Sequence, residues 1–259
     1  MPDKVNNIWI YNDEGVSELS MKSAFTTFQS KLPAHNMTTV RLISSADILN
    51  GKLIGRGILV MPGGADMPYC HKLNGAGNDI IRQFVARGNI YIGICAGGYY
   101  GAQTIEFLGE GYEISGSREL AFFSGAAVGS MLELTHGQRY NQKTASKALA
   151  TLNYANGQQD KVYYHGGAYF VGDTEADFKV LATYSSGKNA IVSGCFEQGR
   201  YLLSGVHFEL CPQVYAECSI SHESSADREK ERALLLAIDN DHYGSLVYQE
   251  IEKMLGTCL

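Results

Sequence analysis

The chain has 259 residues, a formal net charge of −6, 45% hydrophobic residues and 19% charged residues. This composition excludes disordered, collagen-like and coiled-coil proteins, and the length suffices to fill the core of one α/β domain. Basic residues are scattered through an acidic chain, which predicts neither a nucleic-acid interface nor binding to an anionic membrane. We therefore expect a folded protein whose partners are small molecules or proteins.

Targeting signals and cysteines indicate the compartment. No apolar run reaches the roughly 18 residues that a membrane helix needs, and residues 1–11 lack the regions of a secretory signal. The six cysteines are spread along a chain large enough to fold without disulfides, which favours free thiols. The sequence predicts a cytoplasmic protein.

In the first hundred residues, short apolar runs alternate with segments of helical periodicity. Such alternation indicates a parallel sheet with helices on both faces. The predicted strands are 5–11, 37–43, 57–61 and 89–94, and the predicted helices are 17–31, 44–49, 78–87 and 96–104.

After about residue 105 the pattern changes to short segments punctuated by glycine, typical of strands and hairpins. The predicted strands here are 120–128, 161–164, 169–172, 179–184, 190–196 and 200–204, followed by helices at 226–240 and 245–255. No linker separates the halves, so we expect one domain over residues 1–259. The fold class is α/β, a helix-covered parallel sheet with a β-rich extension in the second half.

Cys95 lies where a buried strand runs directly into a helix, in Gly93-Ile94-Cys95-Ala96-Gly97-Gly98. A sharp strand-to-helix turn needs neighbours with little or no side chain. A helix N-terminus also favours a thiolate. The segment has the layout of a nucleophile elbow with Cys in place of Ser, although a small buried cysteine at a strand end has the same pattern.

A proton carrier for Cys95 is predicted at His207, directly after the strand 200–204. Residues two apart in extended chain project to the same face, so Glu209 can hold the imidazole of His207. Cys95, His207 and Glu209 then take the roles of nucleophile, base and orienting residue.

Backbone amides that stabilise an oxyanion are predicted at Ala96 and in the Pro62-Gly63-Gly64 loop, at Gly63 or Gly64, because glycine lets backbone approach a ligand closely. A plain loop is the alternative. The substrate pocket is predicted from side chains and glycines near these segments, although Asx-turn and hairpin packing explain the same residues. They are Asp66, Tyr69, Tyr99, His165, Gly166 and Gly167.

A zinc site is the competing interpretation for His207. Two histidines and two cysteines could supply four zinc ligands, but their spacing matches no compact zinc module and the ion would occupy the proposed base, His207. They are His207, Cys211, Cys218 and His222. A nucleotide loop is not indicated either, because Gly75-Ala76-Gly77 lacks the third glycine and the lysine of a phosphate cradle. We expect no metal and no cofactor.

Five motifs follow one another between about residues 57 and 210. They are Met61 to Tyr69, Cys95 to Tyr100, Phe122 to Gly125, Tyr164 to Phe170 and Gly205 to Glu209. Together they resemble the biotin-protein ligase N-terminal domain family, within the class I glutamine amidotransferase-like superfamily. The resemblance implies a flavodoxin-like fold with a Cys-His-Glu triad.

The chain departs from the superfamily pattern at two positions. Amidotransferases usually have Gln four residues after the cysteine and a His-Pro-Glu motif, whereas this chain has Tyr99 and His207-Phe208-Glu209. Only a fragment of a ligase-like glycine-arginine string is present, at Gly55-Arg56-Gly57, so we expect no biotin-ligase module in these residues.

Two functions remain open. One is a cysteine-nucleophile hydrolase or acyl- or amido-transfer enzyme acting on a small amide or ester. The other is a non-catalytic ligand-binding or regulatory domain that keeps the pocket, which the resemblance allows because the family is named for a domain appended to another enzyme.

Free glutamine is expected to be at best a poor substrate. The ring of Tyr99 cannot offer the paired amide hydrogen bonds of the Gln that usually follows the nucleophile. Ammonia release from glutamine by the purified protein measures this, and efficient release contradicts it.

Overall fold

A 13-stranded sheet runs through the computed structural model, which describes residues 7–32, 39–172, 177–219 and 225–256. The strands are β1 (Asn7–Tyr11), β2 (Thr39–Ile43), β3 (Gly57–Met61), β4 (Ile90–Ile94), β5 (Ala102–Gly109), β6 (Tyr112–Ser117), β7 (Phe123–Gly129), β8 (Lys147–Tyr154), β9 (Gln159–His165), β10 (Tyr169–Gly172), β11 (Phe178–Tyr184), β12 (Asn189–Phe196) and β13 (Gly199–Ser204). The helices are α1 (Glu18–Lys31), α2 (Ser45–Leu49), α3 (Asp66–Leu73), α4 (Ala76–Ala86), α5 (Ala96–Gly101), α6 (Pro212–Cys218), α7 (Ser225–Ile238) and α8 (Ser245–Gly256).

Five parallel strands form the core of the sheet, in the order β2-β1-β3-β4-β13. Both faces of the central strands β3 and β4 are buried, and in β4 Ile90 and Ile92 belong to one hydrophobic core while Tyr91 belongs to the other. The predicted helix-covered α/β fold is confirmed. No helix in the described part of the chain is long and apolar enough to cross a membrane.

The predicted β-rich second half is also confirmed, and it extends the same sheet. Strand β12 pairs antiparallel with β13, and the sheet then divides into two arms. One arm continues through β10, β7, β5 and β6, and the other through β11, β8 and β9. The two arms place the β5–β6 hairpin and the end of β9 above the carboxyl edge of the parallel strands, where they meet one cavity.

Several boundaries differ from the sequence-based expectations. The helix predicted at 96–104 ends at Gly101, because its glycines are poor helix formers and the chain from Ala102 pairs with β6 and β7. Helix α3 was not predicted; its Pro68 lies in the first helical turn, where proline is tolerated. Strands β5, β6 and β8 and helix α6 were also missed. The predicted strand residues 5, 6, 37 and 38 lie outside the described residues.

A buried carboxylate fastens helix α7 to the second half of the sheet. Glu231 is fully buried and accepts hydrogen bonds from Thr144 Oγ1, at 2.6 Å, and from Tyr215 OH, at 2.5 Å. Lys147 Nζ lies 2.6 Å from the same carboxylate. Burial raises the pKa of Glu231, but these three donors together hold the pKa below its usual value.

Glu231→Ala is expected to lower the free energy of unfolding by about 3 to 5 kcal/mol, because it leaves the buried ammonium of Lys147 without this carboxylate. Guanidinium denaturation measures the change. The matched control is Glu133→Ala, which removes a half-exposed ion pair to Lys188 (2.8 Å) and should cost about 1 kcal/mol or less. Equal small losses in both variants contradict the expectation.

Candidate active site

Cys95 occupies the sharp turn between β4 and α5. Its backbone has φ of +50°, an uncommon and strained value for a residue with a side chain. The amide of Cys95 donates to Ser204 O on the neighbouring strand β13, at 2.8 Å. The turn depends on a glycine, because a Cβ at Gly97 would lie 2.0 Å from Met61 O. Only 7% of Cys95 is exposed, so the thiol lies at the bottom of a cavity.

His207 reaches Cys95 from the neighbouring parallel strand. Strands β4 and β13 are paired in register up to Ile94 and Ser204, so the residues that follow them meet at the same sheet edge. The amide of His207 donates to Tyr163 O at 2.9 Å, which fixes the backbone. The side chain of Cys95 interacts with the ring of His207 and raises the pKa of the imidazole.

Glu209 holds the other side of the imidazole. Its Oε1 lies 2.8 Å from Nδ1 of His207, and the carboxylate is fully buried. The chain leaves β13 at Ser204, so His207 and Glu209 meet across a turn and not in extended chain as expected. Burial by itself lowers the pKa of His207, but the Glu209 carboxylate and Cys95 raise it to about 10. His207 is therefore an imidazolium at neutral pH.

Ser20 connects the Glu209 carboxylate to the Pro62-Gly63-Gly64 loop. The sequence analysis did not predict a role for Ser20. Ser20 Oγ donates to Glu209 Oε1 at 2.6 Å and accepts from the amide of Gly63 at 2.8 Å. Glu209 is also held through its backbone, because Thr27 Oγ1 donates to Glu209 O at 3.0 Å. Both residues lie on the buried face of α1 together with Ser23. Small hydroxyl residues at helical spacing on a buried face were the available signal.

The cavity above Cys95 has a volume of about 470 Å³. Cys95, Ala96, His207 and Gly64 line it. Of the other residues predicted for a pocket, Asp66, Tyr99, His165 and Gly166 also line it. Its remaining wall comes from the β5–β6 hairpin, Tyr140 and Gln142, Tyr163 of β9, Ala65 and Met67, and residues 15–17, 19 and 20.

Three predicted site residues make contacts within the protein itself. The hydroxyl of Tyr69 donates to Pro62 O, at 3.2 Å, and Tyr69 lies outside the cavity lining. Gly167 is also outside it, packed where a Cβ would lie 1.8 Å from Gly205 O. The amide of Gly63 is engaged by Ser20, which leaves Gly64 and Ala96 as the predicted oxyanion donors that line the cavity.

His165 lies close to Cys95 but is in a different protonation state from His207. Burial lowers the pKa of His165 to about 4, so this imidazole is neutral at neutral pH. Its Nε2 lies 2.8 Å from Asn141 O, an acceptor, which requires the proton on Nε2. The carbonyl of His165 accepts from Cys95 Sγ at 3.6 Å. His165 therefore shapes the site through its backbone.

Asp66 carries the one carboxylate among the described residues that line the cavity. It forms a buried ion pair with Arg118, with Nε 2.7 Å from Oδ2. Arg118 comes from the chain after β6 and was not predicted as part of the site. The other nitrogens of its guanidinium donate to Ser117 O and to the sulfur of Met67.

Metal ligands do not cluster in the described residues, where no group of three His, Cys, Asp or Glu side chains could hold an ion. The zinc interpretation included His222, which lies outside the described residues. Nδ1 of His207 is held by Glu209 and the ring interacts with Cys95, an arrangement that suits a proton carrier.

The family assignment rests on a model of the biotin-protein ligase N-terminal region, which matches residues 6–249. The chain belongs to this family. It is 30% identical to a biotin–protein ligase of Schizosaccharomyces pombe over 228 residues, which cover 82% of this chain and 34% of the ligase. It is 28% identical to an uncharacterized protein of Chlamydia muridarum over 85% of each chain.

Solved structures show the same fold at low sequence identity. A glutamine amidotransferase crystal structure has a TM-score of 0.53 at 16% identity, covering 94% of this chain and 98% of that chain. A cytoplasmic protein from Salmonella typhimurium LT2 has a TM-score of 0.50 at 12% identity, covering 96% of this chain and 98% of that chain. The domain therefore has a glutamine amidotransferase-like fold.

Ser20→Ala is expected to move the pH profile of Cys95 alkylation to higher pH, because Glu209 loses the hydroxyl that holds it against His207. The buried Gly63 amide also loses its acceptor, which should lower the free energy of unfolding by about 1 to 3 kcal/mol. Rates of iodoacetamide labelling at a series of pH values measure the first effect, and denaturation measures the second.

Ser23→Ala is the matched control for this experiment. Ser23 is buried one turn further along α1, and its hydroxyl has no hydrogen-bond partner among the described residues. This variant should keep both the labelling profile and the stability of the parent. An unchanged profile in Ser20→Ala, or the same shift in both variants, contradicts the positioning role of Ser20.

Proposed function

We propose that this domain is a cysteine-dependent hydrolase or acyl-transfer enzyme that acts on a small amide or ester. One observation carries the proposal: in a cavity, the ring of His207 interacts on one side with Cys95 and is hydrogen-bonded on the other to a buried carboxylate, Glu209. Cysteine nucleophiles are activated by such an imidazole partner. A structural cysteine at a strand end has no need of a buried ion pair beside it.

The reaction begins when Cys95, as the thiolate of an ion pair with the His207 imidazolium, attacks the carbonyl carbon with its sulfur. The carbonyl oxygen becomes an oxyanion, and the amides of Ala96 and Gly64 stabilise it. His207 then donates its proton to the leaving nitrogen or oxygen, the carbon–heteroatom bond breaks, and a thioester remains on Cys95. The neutral His207 takes a proton from water or from an acceptor nucleophile, which attacks the thioester and releases Cys95. Glu209 keeps the imidazole oriented throughout.

A non-catalytic binding domain is the second candidate. Its support is the relation to one part of a larger protein, since the chain spans 34% of the fission yeast ligase. In that case the cavity would bind a small molecule and regulate another activity. The two candidates differ in whether Cys95 forms and releases an acyl adduct.

Substitutions at the three residues should reduce turnover most in Cys95→Ala, less in His207→Ala and least in Glu209→Gln. The first removes the nucleophile and should abolish acylation by p-nitrophenyl acetate. His207→Ala should slow acylation by about 100-fold or more and move Cys95 alkylation to higher pH. Glu209→Gln should be milder, because the amide keeps the shape of the side chain and still accepts from Nδ1. Mass spectrometry of the intact protein and its peptides measures the adduct.

Two cysteines provide controls. Cys211→Ala removes another buried thiol near His207 in sequence and should leave acylation unchanged. Exposed Cys195 serves as an internal standard for ordinary thiol labelling. Alkylation that prefers Cys195 to Cys95, or an unchanged pH profile in His207→Ala, would favour the binding-domain candidate.

A further inference from the structure

The cavity above Cys95 has an aromatic and apolar wall. Ile105 and Phe107 of β5 and Ile114 of β6 line it. The ring of Phe107 packs edge-on against Tyr99, with centroids 5.6 Å apart, and against Tyr140, at 5.5 Å. This group is already held in place by its own ring contacts, so an apolar ligand placed against it meets a preformed surface.

The one cation among the described residues that line the cavity is the imidazolium of His207, which is already paired with Glu209. Among the described lining residues there is no Lys or Arg. Arg118 contacts the lining residues Asp66 and Met67, and its guanidinium already donates to Asp66, to Ser117 O and to the sulfur of Met67. The imidazolium of His207 is committed to Glu209 and Cys95, and His165 is neutral. A carboxylate or phosphate bound here would be desolvated with no partner, which is costly.

We propose that the domain selects an acyl group that carries an uncharged apolar substituent, of the size of one aromatic ring, and rejects acyl groups that carry a carboxylate. This substrate class rests on the proposed acyl chemistry at Cys95. The ring of the substrate packs against Phe107 and Ile114, its carbonyl carbon lies at the sulfur of Cys95, and Asp66 accepts from an N–H of the substrate. Dicarboxylate-derived amides and free amino acids, glutamine included, belong to the rejected class.

Two p-nitrophenyl esters with the same leaving group test the selectivity. The phenylacetate has the proposed ring and the hemisuccinate has a carboxylate. For each ester, the rate of thioester formation on Cys95 is divided by the rate at which the same ester reacts with free N-acetylcysteine. This quotient is the corrected rate. We expect a preference for the phenylacetate of at least about 10-fold, the discrimination that a hydrophobic pocket provides. Equal corrected rates overturn the proposal.

Binding to the Cys95→Ala variant separates ligand selection from catalysis. Phenylacetamide should bind, measured by the change in protein NMR signals of the cavity residues, and succinamate should not. If phenylacetamide binds while neither ester acylates the wild-type protein, the proposed enzyme function is wrong and the ligand class stands. If succinamate binds equally well, or if neither amide binds, the ligand class is wrong.

A charge placed in the wall gives the sharpest variant. Ile114 is half-buried on β6, where a long side chain can reach the cavity. Ile114→Lys should raise the corrected hemisuccinate rate relative to the phenylacetate rate by about 10-fold, because it supplies the missing cation. Ile114→Met, which changes shape but not charge, should keep the parental preference. Equal effects of Lys and Met contradict the role assigned to the missing charge, and thermal unfolding checks that each variant is folded.

Discussion

The buried carboxylate of Glu209 is the interaction on which the site depends. A buried carboxylate is costly without nearby donors, and here Nδ1 of His207 and Oγ of Ser20 both bind its Oε1, while Oε2 has no hydrogen-bond partner among the described residues. Through these bonds one charged group sets the charge of the imidazole, its orientation towards Cys95 and the position of the Gly63 loop. Helix α1, the glycine loop and the end of β13 are thereby fixed relative to one another.

The sheet brings these groups together from distant parts of the chain. Strand β13 is the last strand in sequence, yet it pairs in parallel with β4 in the core, so His207 arrives beside Cys95. The intervening chain forms the two arms of the sheet, and their β5–β6 hairpin and β9 wall the cavity. A scaffold common to amidotransferase-like folds is thus combined with a cavity wall that belongs to the extension, which is where the proposed substrate selection lies.

Local pattern was sufficient for some parts of this site. Glycines around Cys95 predicted a tight strand-to-helix turn, and the structure shows why they are needed, since Gly97 packs against Met61 O. His207 and Glu209 were close enough in sequence for their contact to be expected. Tyr69 and Gly167, which were assigned to a pocket, lie outside the cavity lining, because a residue next to a motif can point either into a cavity or into the core. The catalytic roles of Cys95, His207 and Glu209 are predictions, and the alkylation and acylation experiments test them.

By itself, the sequence determined the alternating strands and helices, the β-rich second half, the turn at Cys95 and the family, because periodicity, glycine placement and short motifs are local properties. Only the tertiary structure decided that Ser20 supports Glu209, that Arg118 neutralises Asp66, and that an aromatic wall without a cation covers the thiol. These contacts join residues tens to hundreds of positions apart. Their partners are selected by strand order and by the burial of charge, and neither leaves a pattern within a short stretch of chain.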